Sequence, residues 1–146
     1  MHYSNRPVAT VAALGALAAV VAFAAPQAGA TVTSLGVDTG QSFGSSAGPT
    51  GTSCSYAVAA KTDPGQEVVF LDEVNAQVSH GVFRPAVVTA DAAGVARSTW
   101  IPSQKGQHNI WVVEYRSDDD YDAYSHDDPI TVGTGINVGP ACVVLP

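Results

Sequence analysis

Glycine and proline interrupt this chain so often that no long helix is expected in its main part. The 146 residues include 14 Gly and 9 Pro, and both residue types destabilise helix interiors. Beyond residue 30, no stretch of about eleven residues carries the apolar spacing of an amphipathic helix. Between the interruptions, apolar residues alternate with polar ones or form short Val-rich runs, which indicates β-strands.

About seven short strands are predicted, each separated from the next by turn residues. Pro85 interrupts one of them, and in another the side chains of Ala96, Ser98 and Trp100 share one face. Such spacing is typical of an antiparallel β-sandwich. The predicted segments are 31–37, 54–60, 67–71, 82–90, 95–101, 108–115 and 130–138, with a further short one at 143–145.

Residues 1–30 have the pattern of a signal peptide. Arg6 supplies positive charge, 8–25 is an unbroken run of apolar and small residues, Pro26 ends that run, and residues 28–30 (Ala-Gly-Ala) fit a cleavage site. A retained membrane anchor is the alternative, but Ala and Gly make the run only weakly hydrophobic. We therefore expect secretion, cleavage, and no membrane association afterwards.

Residues 31–146 are expected to form a single acidic domain. The chain has thirteen acids and six bases, and the leader holds one base and no acid. The mature part then carries thirteen acids against five bases, a net charge of −8. This excess argues against a nucleic-acid partner, which requires clustered Lys and Arg.

The two cysteines, Cys54 and Cys142, both lie in the exported part. Outside the cytoplasm such a pair oxidises, and two cysteines allow one intramolecular bridge. A metal site or a reactive thiol would be the alternatives, but no Cys-x-x-Cys or nearby Cys/His spacing exists. We predict a disulfide that joins the first and last parts of the domain.

Three short motifs carry a resemblance to a known family. They are residues 64–70 (Pro-Gly-Gln-Glu-Val-Val-Phe), 93–96 (Ala-Gly-Val-Ala) followed by 100–102 (Trp-Ile-Pro), and 106–110 (Gly-Gln-His-Asn-Ile) followed by Tyr115, Asp118 and Tyr121. In order and spacing they resemble the bacterial immunoglobulin-like domains that occur as repeats in secreted and surface proteins. The resemblance implies an immunoglobulin-like sandwich with an extracellular binding or spacer role and no catalytic residues.

The chain departs from that family's pattern in three respects. Ser117 stands where the family usually has Gly, and the Cys pair is not a general family feature. One extra residue lies between Ile110 and Tyr115, which implies a bulge or a change of register.

The acidic run near residue 120 raises the question of calcium. Asp118, Asp120 and Asp122 fit positions 1, 3 and 5 of an EF-hand loop. Ala123 stands where Gly is needed and Pro129 where the bidentate Glu is needed, so the run is not an EF-hand. We expect a solvated loop; a looser calcium site formed by these three aspartates is the alternative, and no other cofactor is expected.

Four aromatic residues follow one another closely in the same region: Trp111, Tyr115, Tyr121 and Tyr124. Exposed on one face, they could form a stacking platform for sugar rings. Alternatively, one Trp fills the core and the tyrosines pack at a corner of the sandwich, which we favour.

Catalysis is not expected. The sequence has no Gly-x-Ser-x-Gly, the pairing of His126 with Asp127 is too local to orient a nucleophile, and His108 lies on a strong strand as a structural histidine. We expect a secreted, non-catalytic module with a binding or structural role toward an unknown protein or cell-envelope component. A carbohydrate- or cell-wall-binding module that uses the aromatics, with or without calcium, is the alternative.

Overall fold

The computed structural model describes residues 32–40, 42–43, 50–117 and 119–145. The expected signal peptide and Asp118 lie outside these residues. In the described ranges the chain forms strands and turns, and none of them contains a helix long and apolar enough to span a membrane.

Thirteen strands are present in the described residues. They are β1 (Ser34–Asp38), β2 (Ser42–Phe43), β3 (Thr50–Gly51), β4 (Tyr56–Lys61), β5 (Glu67–Val74), β6 (Gln77–Ser79), β7 (Phe83–Arg84), β8 (Val87–Thr89), β9 (Val95–Trp100), β10 (Gly106–Ser117), β11 (Asp120–Ser125), β12 (Ile130–Asn137) and β13 (Cys142–Leu145).

The strands form two sheets. The small sheet has the order β1-β4-β9-β7, and the large sheet has the order β2-β13-β12-β10-β5-β6, with β11 on β10, β3 on β12 and β8 on β5. All pairings are antiparallel except those of β3 with β12 and β2 with β13. This is the two-layered architecture of immunoglobulin-like domains, so the predicted all-β sandwich is confirmed.

Alternation along each strand builds the core between the sheets. In β4, Tyr56, Val58 and Ala60 are buried and the residues between them are exposed. In β9, Trp100 is fully buried on the same face as Ala96 and Ser98, as predicted. Because every second residue of a strand faces the same side, these apolar residues meet those of the opposite sheet.

Pro85 marks the point where the chain changes sheets. β7 ends at Arg84 and pairs with β9 in the small sheet, whereas β8 begins at Val87 and pairs with β5 in the large sheet. The Arg84–Pro85 peptide bond is cis. Proline has no N–H to donate to a β-ladder, so strand pairing is interrupted at Pro85. The segment predicted as one interrupted strand is therefore two strands, one in each sheet.

The acidic run differs from the expected loop. Residues 120–125 form β11, which pairs with β10 in a hairpin. Tyr121, Ala123 and Ser125 are uncharged and share one face of the segment, where they lie opposite Tyr115, Val113 and Trp111 of β10. These cross-strand contacts favour a strand here. The register of this pairing shifts between Tyr115 and Ser117, so the irregularity follows Tyr115, whereas the sequence placed it before that residue.

The disulfide links the two sheets. Cys54 precedes β4 of the small sheet, Cys142 begins β13 of the large sheet, and their Cα atoms are 5.9 Å apart. The predicted pairing is confirmed. Gly135 of β12 makes room for it, because a Cβ there would collide with the Thr52 carbonyl oxygen and lie 2.9 Å from Cys54 Sγ.

Candidate binding surface

Strand β10 is the centre of the surface because it lies between β5 and β11 and sends alternate side chains to opposite faces. His108, Ile110, Val112 and Glu114 point into the sandwich and are buried. The intervening residues Trp111, Val113 and Tyr115 therefore lie on the outer face of the large sheet.

Neighbouring strands extend this outer face sideways. Val87 of β8 pairs with Val69 of β5, Val69 pairs with Val113, and Val113 pairs with Ala123 of β11, so one apolar row crosses four strands. Leu71 pairs with Trp111 in the next row. We call this set the platform; its members are Val69, Leu71, Val87, Trp111, Val113, Tyr115, Tyr121 and Ala123.

Two tyrosines form the most exposed corner of the platform. Tyr115 and Tyr121 are direct partners across the hairpin, with 58% and 60% of their surface exposed. Their ring centroids are 6.2 Å apart and their planes are inclined by 42°. The rings contact one another as a tilted pair, and together they present a ridge, not a single flat plane.

Trp111 is fixed at the opposite corner. Its indole Nε1 donates a hydrogen bond to Glu73 Oε2 at 3.2 Å, and the side chain is half-buried. The polar atom of the ring is thus satisfied within the sheet, and the remaining ring surface is available to a ligand.

Tyr124 does not join the other aromatics. It pairs with Val112, on the inner face of the hairpin, and packs against the core. The structure therefore brings together three of the four aromatics considered from the sequence, namely Trp111, Tyr115 and Tyr121, and places Tyr124 on the other side of the sheet.

Of the three aspartates considered for calcium, the two that the structure describes, Asp120 and Asp122, are engaged by groups of the protein itself. Asp120 accepts two hydrogen bonds from the Arg116 guanidinium, at 3.1 and 3.0 Å. These bonds raise the pKa of Arg116. Asp122 Oδ2 accepts the Val32 N–H at 3.2 Å. In the part of the chain that the structure describes, no three acidic, His or Cys side chains are grouped in a way that could hold a metal ion.

A buried polar network lies beneath the large sheet and was not anticipated from the sequence. Asp72 accepts a hydrogen bond from Trp100 Nε1 at 2.9 Å, and His108 Nδ1 lies 2.8 Å from both of its carboxylate oxygens. His108 Nε2 lies 3.0 Å from the Gln104 carbonyl oxygen. Both ring nitrogens of His108 therefore have hydrogen-bond partners within the protein. The spacing in β5 could have revealed this network. Asp72 is an even number of residues from Val68 and Phe70, so its side chain faces the core as theirs do.

A second buried acid, Glu114, lies on β10. Its Oε2 accepts a hydrogen bond from Thr62 Oγ1 at 2.8 Å, whereas its Oε1 has no partner among the described residues. Glu114 is fully buried between the ends of the two sheets. It is therefore not available for chemistry at the surface.

Comparison with known proteins adds little to this surface. No family model matches the chain, and no curated protein matches it significantly. Among solved structures, it is similar to an ASH/PapD-like domain of human CEP192 (PapD-like domain 7), with a TM-score of 0.32 and 10% identity over 74% of this chain and 89% of that one. A likeness this distant assigns neither an activity nor a partner.

Proposed function

We propose that this protein is a secreted, non-catalytic immunoglobulin-like module that binds a protein component of the cell envelope or its surroundings through the platform. The observation that carries the proposal is the outer face of the large sheet, where Val87, Tyr115 and Tyr121 are exposed and Trp111 is half-buried around the buried Val113. Contiguous exposed apolar surface on a small protein commonly marks an interaction site.

The chemistry of the platform suits protein recognition. Tyr and Trp are enriched among the residues that dominate the energy of protein interfaces, and here they are held by a paired sheet. A rigid surface loses little conformational entropy when it binds. Tyr115, Tyr121 and Trp111 are therefore the expected anchors.

The buried polar groups support a role without catalysis. His108 and Asp72, the pair best suited to acid–base chemistry, are buried and hydrogen-bonded to each other. Both ring nitrogens of His108 already face protein acceptors. A substrate would have to enter the core to reach them, so this pair supports stability in place of catalysis.

Carbohydrate binding is the second candidate, because Trp111 and Tyr115 lie on the same face of β10. Sugar rings stack best on flat aromatic surfaces. The 42° inclination between Tyr115 and Tyr121 favours a partner that can wrap around a ridge, as protein side chains do. For this reason a protein component is the preferred ligand.

The test is binding of the purified, oxidised protein to isolated envelopes of the cells that secrete it. We expect the double variant Tyr115→Ser/Tyr121→Ser to bind at least about tenfold more weakly, because the two most exposed aromatic anchors are removed. Ile136→Ser, which changes another exposed apolar residue on β12, serves as the matched control and should bind like the native protein.

The same assay separates the two candidates. Protease treatment of the envelopes should abolish binding if the ligand is a protein. Binding that survives protease, occurs on purified glycan and is lost in EDTA would contradict the proposal and favour the carbohydrate module. Equal binding by the tyrosine variant and the native protein would show that the platform is not the site.

A further inference from the structure

We infer that the platform binds the outer face of the small sheet of a second copy, so that copies associate head to tail. This inference rests on the proposed function, because it assigns an occupant to the same platform. The shape and charge of the two outer faces of the sandwich support it.

The outer face of the small sheet is a shallow depression, which we call the shelf. Gly36 of β1 pairs with Ala59 of β4, and Ala59 pairs with Arg97 of β9. With Asp38 and Ala57 these residues line an open groove of about 440 Å³. The platform has the opposite relief, since Tyr115 and Tyr121 project from it.

The two outer faces also differ in the sign of their charge. The shelf carries three of the five bases that follow residue 30, namely Lys61 on β4, Arg97 on β9 and Arg84 on β7. Arg97 is ion-paired with Asp91, and Asp38 also lines the groove. The positive charge that the shelf offers to a partner is therefore that of Lys61 and Arg84. The platform contains no base and is flanked by Glu67 and Glu73, at the two ends of β5. Opposite charges on matching faces favour one orientation of association over others.

The spacing of the charged groups is compatible with contact. Glu67 and Glu73 are six residues apart on β5, which corresponds to roughly 20 Å at the rise of a strand. Lys61 of β4 and Arg84 of β7 lie on either side of β9, where they pair with Val95 and Thr99. They are therefore four residues apart along the strand direction and two strand spacings apart across the sheet, which together correspond to roughly 16 Å. The long side chains of Lys61 and Arg84 can span the difference between these two separations. In the part of the chain that the structure describes, neither Lys61 nor Arg84 forms an ion pair.

The platform and the shelf lie on opposite sides of the sandwich, so the contact pairs two different patches. Such a heterologous contact leaves one patch of each end copy unused, and each added copy exposes the same patch again. We therefore expect open chains of copies whose length grows with protein concentration.

Sedimentation velocity of the purified, oxidised protein tests this inference. We expect the weight-average sedimentation coefficient to rise with concentration, and the association to weaken about fivefold between about 50 and about 500 mM NaCl, because salt screens the charged pairs. A native protein that stays monomeric up to about 0.5 mM, where contacts of millimolar strength become visible, would overturn the inference.

Two single-face variants make the test specific. Tyr115→Ser/Tyr121→Ser removes the ridge of the platform, and Ala59→Glu fills the shelf and adds negative charge opposite Glu67 and Glu73. Each variant alone should remain monomeric. Mixed in equal amounts, they should form a complex of two chains and nothing larger, because each supplies the one face that the other lacks.

Ala92→Glu adds the same charge at an exposed turn residue, and it should associate like the native protein; thermal unfolding checks that every variant folds. Association of the Ala59→Glu variant at native strength, or a mixture that stays monomeric, would overturn the inference. If the native protein is monomeric while the tyrosine variant still loses envelope binding, only this inference fails and the proposed function stands.

Discussion

Asp72 of β5 and His108 of β10 form a hydrogen-bonded pair buried inside the sandwich, with Nδ1 2.8 Å from the carboxylate. Trp100 reaches the same carboxylate from the opposite sheet. One acid thus connects both layers through the largest side chain of the core.

Removal of the Asp72 carboxylate should destabilise the fold strongly. In Asp72→Ala, the buried Trp100 Nε1–H would lose its acceptor and the buried His108 Nδ1 would lose its partner, and each such loss costs about 1–3 kcal/mol. Urea unfolding of the variant measures the change. Asp127→Ala, at an exposed position of the turn before β12, should change the free energy of unfolding by less than about 0.5 kcal/mol. A loss of similar size in both variants would show that the pair adds nothing.

Gly135 should tolerate no side chain. Gly135→Ala places a Cβ against the Thr52 carbonyl oxygen and Cys54 Sγ, and overpacking of this kind costs about 1–3 kcal/mol. The free energy of unfolding measures the loss. Gly81→Ala is the matched control, because its nearest neighbour would be the Ser79 hydroxyl at 3.6 Å, and it should be close to neutral.

The disulfide should contribute a large share of the stability. Cys54 and Cys142 are 88 residues apart, and closing a loop of that length lowers the entropy of the unfolded chain by the equivalent of about 4–5 kcal/mol. We expect Cys54→Ser/Cys142→Ser to unfold at a correspondingly lower urea concentration. The native protein with reductant should match the variant, and a variant as stable as the oxidised protein would contradict the entropic account.

Asp91 should make stability depend on pH in the acid range. Hydrogen bonds from the Val95 N–H and then from Arg97 hold the pKa of Asp91 below its ordinary value of 3.8. A depressed carboxyl pKa stabilises the fold above the ordinary value, and this contribution is lost as pH falls through the folded value. Asp91→Asn should therefore be less stable than the native protein at neutral pH, and the difference should shrink below about pH 4. Urea unfolding between about pH 2.5 and 7 measures it; a difference that stays constant would count against this role.

Alternation along the strands made much of this fold predictable. In β4, β5 and β9 every second residue is buried, and the sequence shows that pattern directly. The crossing of the chain between sheets at Pro85 is a matter of which strands pair, and pairing partners are not visible in a single sequence.

The candidate site was predictable in part for the same reason. Trp111 and Tyr115 are an even number of residues apart and share a face, whereas Tyr121 and Tyr124 are an odd number apart and cannot share one in a strand. This separation was not predicted, because the aspartates between residues 118 and 128 indicated a loop. Pairing with β10 outweighed the weak strand propensity of Asp.

The position of the Cys54–Cys142 bond also decides how tension would pass through the molecule. β4 to β12 lie inside the covalent ring, while β1 lies ahead of it. A force applied to the chain before Cys54 and after Cys142 is carried by the disulfide, so the strands between the two cysteines bear no tension. Only β1 and the short strands outside the ring would peel away, so the surface made by β5, β8, β10 and β11 would keep its shape under mechanical load.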